Sequence, residues 1–275
     1  MDQHLNGSGS ARWTAIVLAG ERPGGDPFAA ASGASLKAAI RVQGVALLDH
    51  VVAALRSVPA IGDIVILAQD IDALSASDME WTRDPRRVRL VRSGRGIAAS
   101  VSAITGTAEA PWPILVTTAD NALLTPDRIR AFLDQAGDTD ITVGVGERAI
   151  VEQVFPQTSR TWLKFRDGHY SGANLFALRS PRASGVLAKW AKIESDRKKG
   201  LKLVASFGPL LLLRALTRTI DFADAIARAA NRLGCTAKPV ILDAEAPIDV
   251  DKPADLALVE QIMAARAAAA GGGRG

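Results

Sequence analysis

Residues 14–38 read TAIVLAGERPGGDPFAAASGASLKA, and the expected fold is organised around this stretch. Its first residues, Thr14–Leu18, form an apolar run of the length typical of a buried strand. A long loop rich in Gly, Pro, Ala and Ser follows, and it carries Arg22 and Lys37. A glycine-rich turn directly after a strand lets backbone N–H groups approach phosphate oxygens closely. Because Arg22 and Lys37 would neutralise the charge of such phosphates, the stretch predicts a phosphate-binding loop. The alternative is a surface loop with incidental charges.

Strands and helices alternate along the rest of the chain. Apolar residues recur at helical spacing in 45–56, and residues 181–233 are mostly helical in pattern. Strands that are nearly all apolar are typical of a parallel sheet covered on both faces, and their alternation with helices predicts the α/β class. Strands are predicted at 38–42, 63–68, 88–91, 114–118, 140–145 and 238–242, and a β-hairpin at 162–178.

The length and composition of the chain suit a large globular domain. The chain has 275 residues, 48% of them apolar, which is enough for a full-sized core. We expect one domain over 13–265, between disordered tails at 1–12 and 266–275. Residues 1–12 lack the apolar core of a signal peptide, and no apolar run approaches the roughly 18 residues of a membrane span. The expected location is therefore the cytoplasm.

The net charge and the cysteine content limit which kinds of binding partner are expected for this protein. The formal net charge is +4, Lys and Arg are spread along the chain, and aromatic residues make up 5%. A nucleic-acid binder would more often pair basic residues with exposed aromatics, so anionic small molecules are the expected partners. Cys235 is the single cysteine, and no Cys/His cluster suggests a zinc site.

The loop after the first strand resembles the signature of the MobA-like nucleotidyltransferases. In that family the loop wraps the triphosphate of an NTP, and its Arg and Lys contact phosphates. Two features depart from the family pattern: Glu21 replaces the usual second small residue, and the spacer between Arg22 and Lys37 is longer than usual. The matching residues are Leu18, Ala19, Gly20, Arg22, Gly24, Gly25 and Lys37.

Two further segments are similar to family elements that bind the substrates. Residues 93–107, SGRGIAASVSAITGT, resemble the Gly-rich turn and helix that cradle the nucleobase, with Gly94 and Ser100 at matching positions. The alternative is an ordinary strand–helix connection with glycine at the turn. Residues 171–176, SGANLF, resemble the G-x-N element of the antiparallel insert, which binds the second substrate. Asn174 would hydrogen-bond an acceptor there, or it would stabilise a turn.

Acidic residues follow two of the predicted strands. Asp120 comes just after the strand 114–118, the position at which α/β folds bind ligands, and a carboxylate there can hold Mg²⁺ beside phosphate oxygens. This segment resembles the family's D-x-P-L-L-T-P element, with Asp120 as the metal ligand. The alternative is that Asp120 is a turn residue. The closing DVDKPADL, residues 249–256, resembles the family's D-I-D-T-P-E-D-L element. The resemblance implies that Asp249 or Asp251 supplies a second carboxylate to Mg²⁺.

A cluster of basic residues precedes a short apolar stretch. Arg197, Lys198, Lys199 and Lys202 repel one another unless they are solvated or bound to an anion. They form either a solvated face or a site for the phosphate of the acceptor, with Lys198 and Lys199 as the candidate contacts. The neighbouring PLLLLRAL, residues 209–216, is too short to span a membrane; it would be a buried helix or rest on a membrane surface.

Together, these resemblances imply a three-layer, Rossmann-like fold of the nucleotide-diphospho-sugar transferase type, with a mostly parallel sheet and a small antiparallel insert. They imply Mg-dependent transfer of NMP from an NTP to a phosphorylated small-molecule or lipid-headgroup acceptor, with pyrophosphate released. The basic cluster beside PLLLLRAL favours a phosphorylated headgroup, and thus CTP as donor. One alternative is a nucleotide-sugar-dependent glycosyltransferase, although Asp120 is followed by Asn121 and Ala122 rather than by an Asp-x-Asp. The other is a non-catalytic nucleotide-binding regulator, which would tolerate loss of Lys37 or of the closing Asp pair.

Overall fold

The computed structural model describes residues 12–21, 26–83, 86–94, 96–195, 213–214 and 216–272. The strands in these residues are β1 (Trp13–Leu18), β2 (Arg41–Val42), β3 (Val45–Ala46), β4 (Ile61–Ala68), β5 (Val88–Arg92), β6 (Ile114–Thr118), β7 (Ile141–Glu147), β8 (Leu163–Lys164), β9 (His169–Leu178) and β10 (Ala237–Ile241). The helices are α1 (Pro27–Ala31), α2 (Leu47–Arg56), α3 (Ile71–Ala76), α4 (Glu80–Arg83), α5 (Ile97–Ile104), α6 (Pro126–Ala136), α7 (Arg148–Val154), α8 (Ser184–Ser195), α9 (Phe222–Asn231) and α10 (Pro253–Gly272).

The main sheet is mostly parallel and has the order β10-β7-β9-β6-β1-β4-β5, with β8 paired to β9. The pairs β1–β4, β1–β6, β4–β5 and β7–β10 are parallel, and β9 runs antiparallel between β6 and β7. The parallel strands therefore all end at one edge of the sheet, and β9 begins there. The predicted α/β class with a mostly parallel sheet and a small antiparallel part is confirmed.

Helices cover both faces of the sheet. Neighbouring residues of a strand point to opposite sides, so each strand contributes side chains to both layers of packing. On the central strand β1, Ala15 and Val17 pack into an apolar cluster that contains Leu48 of α2 and Phe132 of α6. Ile16, between them, packs into the opposite cluster with residues of α5 and α8. Helices therefore cover both faces of β1, and its three central residues are apolar because each is fully buried.

Two of the predicted strand regions fold differently from the expectation. Residues 38–42 do not form one strand: a 3₁₀ turn at Lys37–Ala39 leads into a separate hairpin of β2 and β3. Gln43 and Gly44 both have positive φ, 51° and 78°, as a two-residue hairpin turn of the type I′ class requires. The hairpin predicted at 162–178 is present as β8 and β9, but β9 is ten residues long and enters the main sheet.

Residues near the C-terminus form a helix, contrary to expectation, and the predicted basic cluster lies outside the described residues. Helix α10 continues to Gly272, so residues 266–272 are helical where a disordered tail was expected; alanine, which dominates this stretch, has the highest helix propensity. None of the helices that the structure describes combines the length and apolar character needed to cross a bilayer. Outside the described residues lie Arg22, Gly24, Gly25, Arg197, Lys198, Lys199 and Lys202.

Candidate active site

Asp120 lies just beyond the end of β6, at the sheet edge where the parallel strands terminate. Its backbone oxygen accepts a hydrogen bond from the N–H of Val250, with the two atoms 3.1 Å apart. Val250 belongs to the segment that follows β10, which ends at the same edge. The sheet therefore brings together two acidic segments that are far apart in the sequence.

The closing segment directs Asp249 and Asp251 toward Asp120. Ile248 and Val250 are fully buried in an apolar cluster with residues of α2 and α10. Asp249 and Asp251 alternate with these two residues along the chain, and neither belongs to that cluster. One oxygen from each of the carboxylates of Asp120, Asp249 and Asp251 lies within 4.8 Å of the others. The closing motif therefore supplies its carboxylates because its apolar positions are anchored.

Lys37 lies between two of these carboxylates. Its Nζ is 2.5 Å from Oδ2 of Asp120 and also contacts Oδ1 of Asp251. Burial lowers the pKa of Lys37, but the attraction of Asp120 and the hydrogen bonds to Asp120 and Asp251 outweigh burial and raise it above its ordinary value. The ammonium group is therefore charged at neutral pH, and its side chain is only 18% exposed.

Asp249 is bound by groups from the antiparallel part of the fold. Arg160, from the segment before β8, contacts Oδ1 of Asp249 and donates from Nη2 to its backbone oxygen at 3.1 Å. Nδ2 of Asn174 donates to Oδ2 of Asp249 at 2.8 Å. Burial raises the pKa of Asp249; Arg160 opposes this rise, and the charges of Asp120 and Asp251 add to it. The net direction is upward, so this carboxylate loses its proton less readily than a free Asp.

The backbone of Asn174 explains why its side chain reaches the acidic cluster. Asn174 has a φ of 49°, in the left-handed region that Asn tolerates better than most residues. It lies where the pairing of β7 with β9 changes register, between Val143 and Val145. Irregularities of this kind redirect a side chain relative to a regular strand. The geometry thus shows Asn174 positioning Asp249; its predicted contact with an acceptor stays a prediction.

The turn after β1 approaches the neighbouring strand closely. The N–H of Ala19 donates to the carbonyl of Leu67 at 2.9 Å, which continues the β1–β4 pairing past Leu18. A Cβ atom at Gly20 would lie 3.0 Å from the amide of Gln69, so glycine suits this position. The predicted nucleotide-binding residues Leu18, Ala19 and Gly20 therefore lie at the carboxyl edge beside β4.

The segment predicted to hold the nucleobase follows β5 at the same edge. Gly94 is exposed, and Gly96 precedes α5 with a φ of 95°. Ser100 is buried, and its hydroxyl donates to the carbonyl of Gly96 at 2.7 Å. The hydroxyl of Ser100 is therefore hydrogen-bonded within the first turn of α5, and whether it also contacts a base stays a prediction.

The acidic cluster fits a divalent cation. Oδ1 of Asp120 is buried and, among the residues that the structure describes, has no hydrogen-bond partner. Carboxylate oxygens are the ligands that Mg²⁺ prefers, and this oxygen and the neighbouring carboxylates of Asp249 and Asp251 provide such a set. A buried oxygen without a partner is costly, and a bound cation would satisfy it.

Arg160 and Gln69 are two residues of this site that the sequence analysis did not find. Arg160 is nine-tenths buried and pairs with Asp249, 89 positions away. Gln69 accepts a hydrogen bond from the turn after β1, 48 positions earlier. Neither residue belongs to a spaced motif, so only the tertiary contacts reveal them.

Comparisons with known proteins define the class of the protein. A family model described as the MobA-like NTP transferase domain matches residues 15–182, more than half of the chain. The protein is thus a nucleotidyltransferase. It belongs to the family of MobA-like NTP transferase domains, as the loop signature predicted. The matched residues include Lys37, Asp120 and Asn174, whereas Asp249 and Asp251 lie beyond them.

Solved structures of similar fold include other transferases. A hypothetical transferase from Thermus thermophilus is 26% identical, with a TM-score of 0.71, and the match covers 89% of this chain and 99% of that chain. A CMP:2-keto-3-deoxy-manno-octonic acid synthetase complexed with CTP is 12% identical, with a TM-score of 0.57 and 93% and 99% covered. A 4-diphosphocytidyl-2C-methyl-D-erythritol synthase is 15% identical, with a TM-score of 0.56 and 92% and 99% covered. No curated protein matches the sequence.

Proposed function

We propose that this protein transfers NMP from an NTP, with CTP as the donor, to a phosphorylated small molecule or lipid headgroup in the cytoplasm. The observation that carries the proposal is the convergence of Lys37 with Asp120 and Asp251 at the carboxyl edge of the sheet. A phosphate-binding lysine beside a set of carboxylates suits a reaction in which charge on phosphate oxygens must be neutralised.

The proposed reaction is an in-line displacement at the α-phosphorus. An oxygen of the acceptor forms a bond to this phosphorus, and the bond from phosphorus to the bridging oxygen of the leaving pyrophosphate breaks. Lys37 would donate from its ammonium to phosphate oxygens and stabilise the charge that develops on the leaving group. Arg22 is proposed to do the same from the loop, on the strength of the family resemblance. No covalent enzyme intermediate is required.

Mg²⁺ would be held by Asp120 together with Asp249 or Asp251. When bound, this ion would neutralise phosphate charge and help the pyrophosphate to leave. Arg160 keeps Asp249 in place through its side-chain and backbone oxygens, and Asn174 supports the second oxygen of the same carboxylate. These two residues would therefore keep the carboxylates oriented while the substrates bind.

The two substrates would occupy opposite sides of the acidic cluster. The turn Leu18–Gly20, with Gly24 and Gly25, would surround the triphosphate, and Gly94 and Ser100 would lie against the base.

On the acceptor side of the cluster, the amide of Asn174 retains a second N–H and an oxygen with hydrogen-bonding capacity for an acceptor. Lys198 and Lys199 are proposed to bind the acceptor phosphate. CTP is favoured because one structure of similar fold is complexed with CTP.

The test is release of pyrophosphate from each of the four common NTPs with Mg²⁺ and a panel of phosphorylated acceptors, including sugar phosphates and phosphorylated lipid headgroups. We expect turnover with CTP and at least one acceptor, and none when Mg²⁺ is replaced by EDTA. A parallel reaction with nucleotide sugars tests the glycosyltransferase alternative. Transfer of sugar without pyrophosphate release, or binding of NTP without turnover on any acceptor, would contradict the proposal.

A further inference from the structure

Glu21 departs from the family signature, and the structure gives it two contacts. Its carboxylate oxygen Oε1 accepts a hydrogen bond from the backbone N–H of Lys37 at 2.6 Å. Its own backbone N–H donates to Oε1 of Gln69 at 2.8 Å. Glu21 thus joins the turn after β1 to the residue that carries the ammonium group of the acidic cluster.

The contact with Lys37 closes a long loop at both of its ends. Glu21 and Lys37 are 16 positions apart, and the loop between them is the spacer that is longer than the family pattern. The N-terminus of the 3₁₀ turn at Lys37 has no side-chain cap from Leu36, the residue that precedes it. Glu21 supplies this cap, and a carboxylate that accepts a backbone N–H makes one of the stronger hydrogen bonds in proteins.

Fixing the backbone of Lys37 also limits where its ammonium group can lie. The side chain of Lys37 is long and flexible, so its ammonium group can occupy any position within a fixed distance of the Cα atom. The position of the Cα atom therefore decides which carboxylates the ammonium group can contact. Gln69 holds Glu21 at the end of β4, Glu21 holds the N–H of Lys37, and Lys37 then meets Asp120. These hydrogen bonds form one continuous connection from the sheet to the acidic cluster.

We propose that Glu21 is a positioning residue that acts through Lys37 in nucleotidyl transfer. The proposal rests on the proposed function, because it takes Lys37 to act on the phosphates of the nucleotide. Glu21 has an electrostatic cost as well, since its negative charge lies in a loop that would receive a triphosphate. The hydrogen bond favours turnover, whereas the charge opposes nucleotide binding. Replacement by Gln separates the two effects, because Gln keeps the accepting oxygen and removes the charge.

The first experiment is a double-mutant cycle on pyrophosphate release. Glu21→Ala should lower kcat about tenfold or more, because misplacing a catalytic group by about 1 Å can cost about a hundredfold. In a Lys37→Ala background the same substitution should have no further effect, since the residue through which it acts is gone. Glu21→Gln should retain kcat within about threefold and lower the KM for the NTP.

The matched control is Asp26→Ala. Asp26 lies in the same loop and caps α1 by accepting from the N–H of Phe28 at 2.8 Å, with no recorded contact to Lys37 in the described residues. Its effect on kcat should be the same with and without Lys37→Ala. If Glu21→Ala is equally costly in both backgrounds, or if Glu21→Gln loses as much kcat as Glu21→Ala, then Glu21 does not act through Lys37.

A second measurement needs no nucleotide and so separates this inference from the proposed function. Acetic anhydride labelling with mass spectrometry reports how accessible and reactive each lysine amine is. Glu21→Ala should raise the labelling rate of Lys37 several-fold relative to the exposed Lys252, whereas Glu21→Gln and Asp26→Ala should not. An unchanged Lys37 rate in folded Glu21→Ala protein would overturn the positioning role. Absence of turnover by the wild type, with labelling as expected, would overturn only the proposed function.

Discussion

Lys37 is the residue at which distant parts of the chain meet. Its backbone N–H is bound by Glu21, and its ammonium group by Asp120 and Asp251. In a mostly buried setting these carboxylates compensate the charge of Lys37, and Lys37 in turn reduces the repulsion between them. Substitutions at this residue therefore test both the proposed chemistry and the electrostatics of the cluster.

The first prediction concerns turnover. Lys37→Ala should lower kcat by roughly a hundredfold or more, the range seen when a preorganised electrostatic group is lost. Pyrophosphate release at saturating nucleotide and acceptor measures the effect. Lys252→Ala is the control, because it removes an exposed positive charge next to Asp251. Activity of Lys37→Ala that matches Lys252→Ala would show that Lys37 has no role in the reaction.

The second prediction concerns metal binding without nucleotide. The ammonium group of Lys37 contacts Oδ2 of Asp120 and Oδ1 of Asp251, so a divalent cation held by the same carboxylates would lie close to its positive charge and be repelled by it. Lys37→Met should therefore tighten binding of Mn²⁺, used as a spectroscopic substitute for Mg²⁺, by about tenfold or more. Electron paramagnetic resonance of free Mn²⁺ gives the affinity. Asp120→Asn should weaken binding instead, and equal affinities in the three proteins would contradict a shared site.

At the scale of secondary-structure elements, β7 packs closely against Pro247, the residue that leads into the segment with Asp249 and Asp251. A Cβ atom at Gly146 would lie 2.5 Å from Cγ of Pro247, which directly precedes Ile248 and Asp249. Such a contact is too short for either atom to stay in place, so a side chain at Gly146 must move the segment. The acidic cluster therefore requires glycine at position 146 of β7.

The third prediction follows from this contact. Gly146→Ala should displace Asp249 and Asp251 and lower kcat about tenfold or more, because small shifts of catalytic groups are costly. Its free energy of unfolding should fall by about 1–3 kcal/mol, as for other overpacked sites. Gly185→Ala in α8 is the control, since its nearest contact to an added Cβ is an ordinary 3.7 Å. Wild-type kcat in Gly146→Ala would mean that the segment adapts without moving its carboxylates.

Asp140 joins the starts of β7 and β10. Its Oδ2 accepts from the N–H of Thr236 at 2.9 Å and from its hydroxyl at 3.0 Å, and Oδ1 accepts from Ser180 at 2.6 Å. The hydrogen bond from Ser180 lowers the pKa of Asp140 most, the backbone N–H of Thr236 lowers it further, and burial opposes both. The net direction is downward, so folding favours the ionised carboxylate.

The fourth prediction gives the pH dependence of this contribution. Because the folded pKa lies below the unfolded value of about 3.9, the stabilisation is fully present above that pH and is lost as pH falls through the folded pKa. Asp140→Asn should cost about 1.5–3 kcal/mol at pH 7, the range for hydrogen bonds to charged groups. Urea unfolding should show a smaller difference in the free energy of unfolding between Asp140→Asn and the wild type at pH 3 than at pH 7. A gap that is equal or larger at pH 3 would contradict this origin.

At the scale of the whole molecule, Arg128 connects α6 to the segment between β10 and α10. The Arg128 side chain is 5% exposed and binds both oxygens of Asp243, at 2.6 and 2.8 Å. It also donates to the carbonyl of Leu123 at 2.6 Å and lies 3.2 Å from Glu245, which Arg266 of α10 contacts as well. This network fastens the segment that leads to the closing carboxylates.

The fifth prediction tests this connection. Arg128→Met should lower the free energy of unfolding by about 1–3 kcal/mol, because Asp243 and the Leu123 carbonyl lose the hydrogen bonds that Arg128 donates. The cost stays below that of a fully buried pair, since Asp243 is half exposed and can be hydrated. Chemical denaturation measures it, with Arg130→Met of the same helix, an exposed residue, as control. Equal stability of the two variants would show that the network contributes nothing measurable.

The class of fold, the family and the order of the main elements follow from the sequence alone. Apolar runs such as 64–68 become buried strands because burial in a covered sheet removes their side chains from water. The loop residues and Asp120 were identified because the chemistry of phosphates needs particular residue types at particular spacings. These signals are local, so a chain read in order reveals them.

The assembly of the candidate site, in contrast, depends on contacts that only the folded chain makes. Arg160 binds Asp249 and Glu21 binds Lys37 across long separations, and no periodicity or motif in the sequence encodes those pairs. The entry of β9 into the main sheet, between β6 and β7, likewise depends on which edges remain free for pairing. Such contacts result from packing of elements that are distant in the sequence. Their chemistry therefore becomes visible only when the carboxyl ends of the strands meet at one edge.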